Sequence, residues 1–141
     1  MTKVTSELVL LDVNVLIALA WANHPFHLSA RQRLEDPAIR WASCALTQLG
    51  FIRLSANPAA VDRAVSPREA VTMLDALVHD GGHVYLNQHP APTNFRQDFT
   101  PLSGHKQVTD TYLRALARHN HARLLTFDAR LKMFPGVEVL S

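Results

Sequence analysis

The sequence predicts a three-layer α/β/α fold around a central parallel sheet. Two observations carry that expectation. Short continuous apolar runs such as Leu8–Asp12 (LVLLD) and Arg123–Phe127 (RLLTF) read as strands buried on both faces. Segments with helical spacing follow such runs almost throughout, which is the signature of strand–helix–strand units feeding one parallel sheet. With 141 residues the chain has room for one domain, 1–141, and not for two.

In chain order, the strand at Leu8–Asp12 is followed by helical stretches at Val13–Ala22 and Pro25–Asp36. Ile39–Ser43 (IRWAS) is the second strand. Leu46–Ala56 is helical, with Leu46, Leu49, Ile52 and Leu54 spaced as one apolar face. Ser66 followed by Pro67 is an N-cap with proline at the first helical position, opening a helix that runs to His79. Gly81 and Gly82 end it, and His83–Leu86 (HVYL) is strand-like. Asn87–Ser103 carries three prolines and little periodicity, so it reads as a long loop with room for one turn of helix; loops of that length in a compact domain are usually functional. Gly104 precedes a helix from His105 to His119, then come the strand Arg123–Phe127 and a last one at Val137–Leu140.

Hydrophobic residues make up 48% of the chain, enough for a sizeable core and too many for a disordered segment. No apolar run reaches the roughly 18 residues of a membrane span. Met1–Glu7 lacks the cationic start and apolar stretch of a signal peptide. The single cysteine, Cys44, excludes an internal disulfide and a multi-cysteine zinc site. A cytoplasmic, non-membrane protein is expected. The formal net charge of +2 permits nucleic-acid binding without arguing for it. Eleven of the fourteen cations are arginine, which suits bidentate phosphate contacts. A coding bias towards arginine explains the same count.

Asp12, Asp110 and Asp128 stand out by position. Asp12 ends the first buried strand, and Asp128 lies just past Arg123–Phe127. Ligand sites of parallel α/β sheets form beyond the carboxyl ends of strands. Asp110 lies early in the intervening helix, whose N-terminus points to the same edge. Three clustered carboxylates repel one another unless a cation neutralises them, and a hard ion such as Mg²⁺ or Mn²⁺ matches their oxygens. Each aspartate also has a purely structural reading: Asp12 as the cap of Val13–Ala22, Asp128 as the cap of Ala129–Met133, Asp110 as an i+4 partner of Arg114.

Three strings carry a more specific signal. Asp12-Val13-Asn14-Val15-Leu16 resembles the DxNVL opening of PIN domains. Thr109–Ala117 (TDTYLRALA) resembles their third acidic motif, and Thr126-Phe127-Asp128 the TxD that carries the fourth. Thr47–Arg53 (TQLGFIR) looks like the helix bearing the second acid. In order and spacing these strings cover nearly the whole chain, and the chain is similar to the VapC toxins of VapBC toxin–antitoxin pairs. That resemblance implies a PIN-like fold and metal-dependent cleavage of structured RNA with Mg²⁺ or Mn²⁺. It also implies a homodimer and a cognate VapB-type antitoxin. It points to Asp12, Asp110 and Asp128 as metal ligands and catalytic residues. The chain departs from the pattern at Gln48, where most of the family has glutamate. An amide carbonyl is a weaker ligand than a carboxylate.

Other residues are candidates for supporting roles. Asn14, Gln48 and Thr126 are placed to hold the carboxylates or a bound water, with capping and turn bonds as the alternative. Arg53, His105 and Lys106 are candidate RNA phosphate contacts, with ordinary surface roles as the alternative. His24-x-x-His27 and His119-x-His121 lack zinc-motif spacing and read as structural. Val13–Ala22 is apolar nearly all round, a modest hint of a protein interface. Two further functions compete with a nuclease. A receiver-like signalling domain would want adjacent acids after the first strand, where Asp12 stands alone. A catalytically weak or inactive PIN-like binding module is suggested only by Gln48.

Overall fold

The computed structural model describes residues 6–141. The signal-peptide reading of Met1–Glu7 falls mostly outside them. Five strands, β1 (Glu7–Leu11), β2 (Ile39–Ser43), β3 (His83–Tyr85), β4 (Arg123–Thr126) and β5 (Val137–Val139), form one sheet. Its order is β3-β2-β1-β4-β5 and every pairing is parallel. The helices are α1 (Val13–Ala20), α2 (His27–Leu34), α3 (Ala45–Ser55), α4 (Pro67–Val78), α5 (Arg96–Phe99) and α6 (Val108–His119). The α/β/α expectation holds.

Alternation along the central strands makes the two faces. Val9, Leu11 and Leu125 point to one side, where they meet α1 to α4 through Val15, Leu16, Ala30, Phe51 and Leu74. Leu10 and Leu124 point to the other, against Tyr112, Leu113 and Leu116 of α6. Leu10, Leu11, Leu124 and Leu125 are all fully buried, each contributing about 1.5–3 kcal/mol of transfer free energy. Both faces are covered, which is why these strands read as continuous apolar runs rather than alternating ones.

Local signals set several boundaries. Asp12 caps α1, its Oδ1 accepting the Val13 N–H at 2.8 Å. Ser66 Oγ accepts the Glu69 N–H at 3.1 Å, with Pro67 at the first position of α4. The long loop expected at Asn87–Ser103 holds a 3₁₀ turn (Pro92–Phe95) and the single-turn α5.

Four expectations need correction. α1 stops at Ala20, and Trp21 is already extended. Its apolar circumference marks no exposed interface: Val15 to Ala18 are buried within the chain, packed by the sheet and by α2, α3 and α4. In α3 the buried residues are Thr47, Gly50, Phe51 and Ser55, whereas Leu46 and Leu49 are exposed. α6 begins at Val108, so His105 and Lys106 precede it rather than open it.

Candidate active site

In this strand order the chain steps from β1 outward through β2 to β3, then returns to β4 and β5 on the other side of β1. The switch point lies between β1 and β4, where open parallel sheets bind ligands at the carboxyl ends of the strands. Leu11 pairs with Leu125, and the Asp12 N–H continues the ladder to the Leu125 carbonyl at 2.9 Å. Asp12 is thereby delivered beside Thr126 and Asp128.

A hydroxyl organises the junction. Thr126, fully buried, donates to Asp12 Oδ2 at 2.7 Å and accepts from Asn14 Nδ2 at 3.2 Å and the Asp128 N–H at 3.1 Å. Asn14 is oriented in turn by the Phe127 N–H, which donates to its Oδ1 at 3.1 Å. Thr126 therefore holds the Asp12 carboxylate, and Asn14 reaches it only through Thr126; Asp12 and Asp128 also make the capping contacts expected of them.

Two of the three aspartates are raised in pKa. Burial pushes the Asp12 carboxyl above its ordinary range, and the charge of Asp128 adds to the rise. Asp110 is pushed up by burial and then by the charges of Asp12 and Asp128. Asp128 is held down instead, chiefly by hydrogen bonds from Arg130, whose Nη2 lies 2.7 Å from Oδ2. The expected ion pair between Asp110 and Arg114 does not form: the Arg114 guanidinium lies over the Phe134 ring, 3.7 Å from its centroid. No hydrogen bond reaches the half-buried Asp110 carboxylate among the described residues.

Among the described residues no three acidic, histidine or cysteine side chains form a ready-made metal cage. The chemistry of the three aspartates is nevertheless of the kind a hard divalent ion prefers. They offer only carboxylate oxygens, two of the acids are under like-charge pressure, and one of those lacks any hydrogen-bond donor.

The remaining candidates separate. Gln48 sits one strand away, its Nε2 donating to Ser43 Oγ at 3.0 Å at the end of β2, where Ser43 also meets His83 Nε2 at 2.7 Å. Arg53 is exposed on α3. His105 and Lys106 line a separate surface hollow with Pro101 to Gln107, because α6 starts later than expected. His24 and His27 make backbone contacts, to the Phe26 N–H and the Ala18 carbonyl. Arg130 escaped the sequence reading, since an i+2 neighbour does not share a face on a regular helix; the 3₁₀ turn Ala129–Leu131 brings it back onto Asp128.

The PIN-domain family model matches residues 9–137. The chain belongs to the PIN-domain family. Within it, the chain is 41% identical over 121 residues to ribonuclease VapC38 of Mycobacterium tuberculosis H37Rv, covering 85% of this chain and 84% of that one. It is 37% identical over 124 residues to ribonuclease VapC39 of the same organism, covering 86% and 89%. Solved structures share the fold at low identity. VapBC2 from Rickettsia felis, bound to a promoter DNA fragment, has a TM-score of 0.66 at 15% identity and covers 95% of this chain and 99% of that one. The sarcin-ricin-loop-cleaving toxin VapC20 of M. tuberculosis has 0.65 at 15%, covering 94% and 99%. Membership of this PIN branch removes the receiver-like reading.

Proposed function

We propose that this PIN domain, spanning 1–141, is a VapC-type endoribonuclease, the toxin of a type II toxin–antitoxin pair, which cleaves structured RNA with Mg²⁺ or Mn²⁺. Ribonuclease relatives above 30% identity support the activity class. What supports the chemistry is the Thr126 hydroxyl at the switch point of the sheet, which joins the Asp12 carboxylate to the Asp128 backbone, with Asp110 raised by burial and by the charges of both.

Asp12, Asp110 and Asp128 are the residues to hold the ion. A bound divalent cation there would supply charge neutralisation at the phosphate and lower the pKa of a water. Thr126 and Asn14 fix the Asp12 carboxylate and the Asp128 backbone, so that the oxygens are positioned before substrate arrives. Among the described residues no helix is long and apolar enough to cross a membrane, in keeping with a cytoplasmic enzyme. A VapB-type antitoxin is the expected partner, as toxin–antitoxin complexes are among the structural neighbours. A homodimer is expected from the family resemblance.

The test is cleavage of total cellular RNA with Mn²⁺, with chelator, and by Asp12→Asn. Cleavage by the wild type that chelator and Asp12→Asn both abolish is the expected result. Cleavage that survives both would remove the metal site from the reaction. An intact RNA profile under all conditions would instead support a binding module that has lost catalysis.

A further inference from the structure

Among the described residues, Asp128 is the one member of the acidic edge that carries a cation of its own. Arg130 places Nε at 3.0 Å from Oδ1 and 3.2 Å from Oδ2, and Nη2 at 2.7 Å from Oδ2. Its backbone N–H adds a fourth contact to Oδ1 at 3.0 Å. Two carboxylate oxygens offer about four lone-pair sites, and three N–H protons of Arg130, the Nε one shared between both oxygens, take up most of them. A divalent ion must compete with that fork for the Asp128 oxygens.

The fork is built to open. The Arg130 side chain is mostly exposed, and no ring stacks on its guanidinium, in contrast to Arg114 on Phe134. Only the Arg130 half of the pair is exposed, so the guanidinium can leave Asp128 for solvent or another anion without unpacking the fold. The charge of Arg130 also reaches Asp110, so it acts on the cluster and not on a single acid. A guanidinium fork that matches a carboxylate matches a phosphate equally well.

We propose that Arg130 is the resident counter-ion of the acidic edge: it occupies Asp128 in the free protein, yields it to the divalent ion, and then contacts a phosphate of the RNA. This rests on the metal-dependent reading above. Free-protein affinity for metal is lowered by the internal competitor, and substrate affinity is raised by the same side chain once released. Metal and RNA binding are coupled through one residue.

Calorimetric titration with Mn²⁺ alone tests the first half, using wild type, Arg130→Gln and Asp12→Asn. Arg130→Gln should bind Mn²⁺ roughly threefold to tenfold tighter than wild type, since one nearby positive charge is gone and Asp128 is free. Equal or weaker binding overturns the proposal. Asp12→Asn reports on the underlying site: if it loses Mn²⁺ affinity while wild type and Arg130→Gln agree, the metal site stands and the counter-ion role alone fails. If neither wild type nor Arg130→Gln takes up Mn²⁺, the metal reading fails and the proposal with it. Fluorescence anisotropy with a labelled 2′-O-methyl oligonucleotide, which resists cleavage, tests the second half at saturating Mn²⁺. Arg130→Gln should bind several-fold more weakly, with the slope of log K against log salt smaller by about 0.7, one phosphate contact on a single strand. Unchanged affinity and slope would overturn the phosphate role.

Discussion

Thr126 has one proton and two lone pairs, and all three are used: the proton on Asp12, the lone pairs by Asn14 and the Asp128 N–H. Because both other partners are donors, the hydroxyl proton has only Asp12 to go to. Thr126→Val keeps the shape and removes the junction, leaving a buried carboxylate oxygen and a backbone N–H short of a partner. We expect a loss of about 1–3 kcal/mol of stability in urea unfolding and a Mn²⁺ affinity roughly 10–100-fold lower by calorimetry. Asp12→Asn removes charge from a buried site under like-charge pressure. The Asn NH2 must also face either the Val13 N–H or the Thr126 hydroxyl, and this offsets the relief of repulsion. The melting temperature in metal-free buffer should therefore stay close to that of wild type, while cleavage falls at least about a hundredfold, about 2.7 kcal/mol of barrier. A variant that melts well below wild type would mean Asp12 acts mainly as the cap of α1. Gln48 donates to Ser43 and keeps its carbonyl oxygen for other partners. Gln48→Glu adds a fourth acid beside the edge and should tighten Mn²⁺ binding in the absence of RNA, without a matching rise in turnover because it also repels phosphate. Equal Mn²⁺ affinity would place position 48 outside the reach of the ion.

Elements were legible where a local rule had no competitor. Ser66-Pro67 opens α4 as read, and the apolar runs became β1, β2 and β4. The acids at strand ends were legible for the same reason, since strand order brings them to one switch point. Tertiary contacts decided the rest. α6 has Gln107 at its N-cap with no side-chain bond, so the sequence held no start signal and His105 was drawn into the helix. In α3 the periodic leucines suggested a face that the fold leaves in solvent, because the closest approach runs through Gly50. A Cβ there would meet Val13 Cγ2 of α1 at 2.7 Å. Gly50→Ala gains about 1 kcal/mol of helix propensity, but overpacking against a stiff β-branched side chain costs about 1–3 kcal/mol. We expect a net destabilisation of about 1 kcal/mol by urea unfolding, with part of it recovered in Gly50→Ala combined with Val13→Ala. A more stable single variant would show that α1 shifts without strain.

Across the whole molecule, charge is distributed by edge. At the carboxyl ends of β1 and β4, the acids repel and two of them are pushed up. Near the opposite ends, Arg33 of α2 binds Glu7 at 2.7 Å and Glu138 at 2.6 Å, and Arg123 reaches Glu138 at 3.2 Å. This network ties α2 to β1 and β5 across the start of β4. Its effect on stability has a definite sign. The hydrogen bonds from Arg33 hold the Glu138 carboxyl below its ordinary value. A depressed acid stabilises the fold above its unfolded pKa, about 4.3, and that contribution is lost as pH falls through the folded value. The active edge works the other way, because protonating Asp12 or Asp110 relieves repulsion as pH falls. Arg33→Met keeps much of the apolar stem and removes the charge. We expect it to cost about 1–2 kcal/mol at pH 7, after allowing for the partial exposure of all three side chains. The difference from wild type should shrink as pH falls below about 4.3, the ordinary glutamate value, and through the lowered value of Glu138 in the wild type. Urea unfolding of the pair across that range measures it. A difference that stays constant with pH would assign the contribution of Arg33 to the packing of its stem against the sheet rather than to its charge.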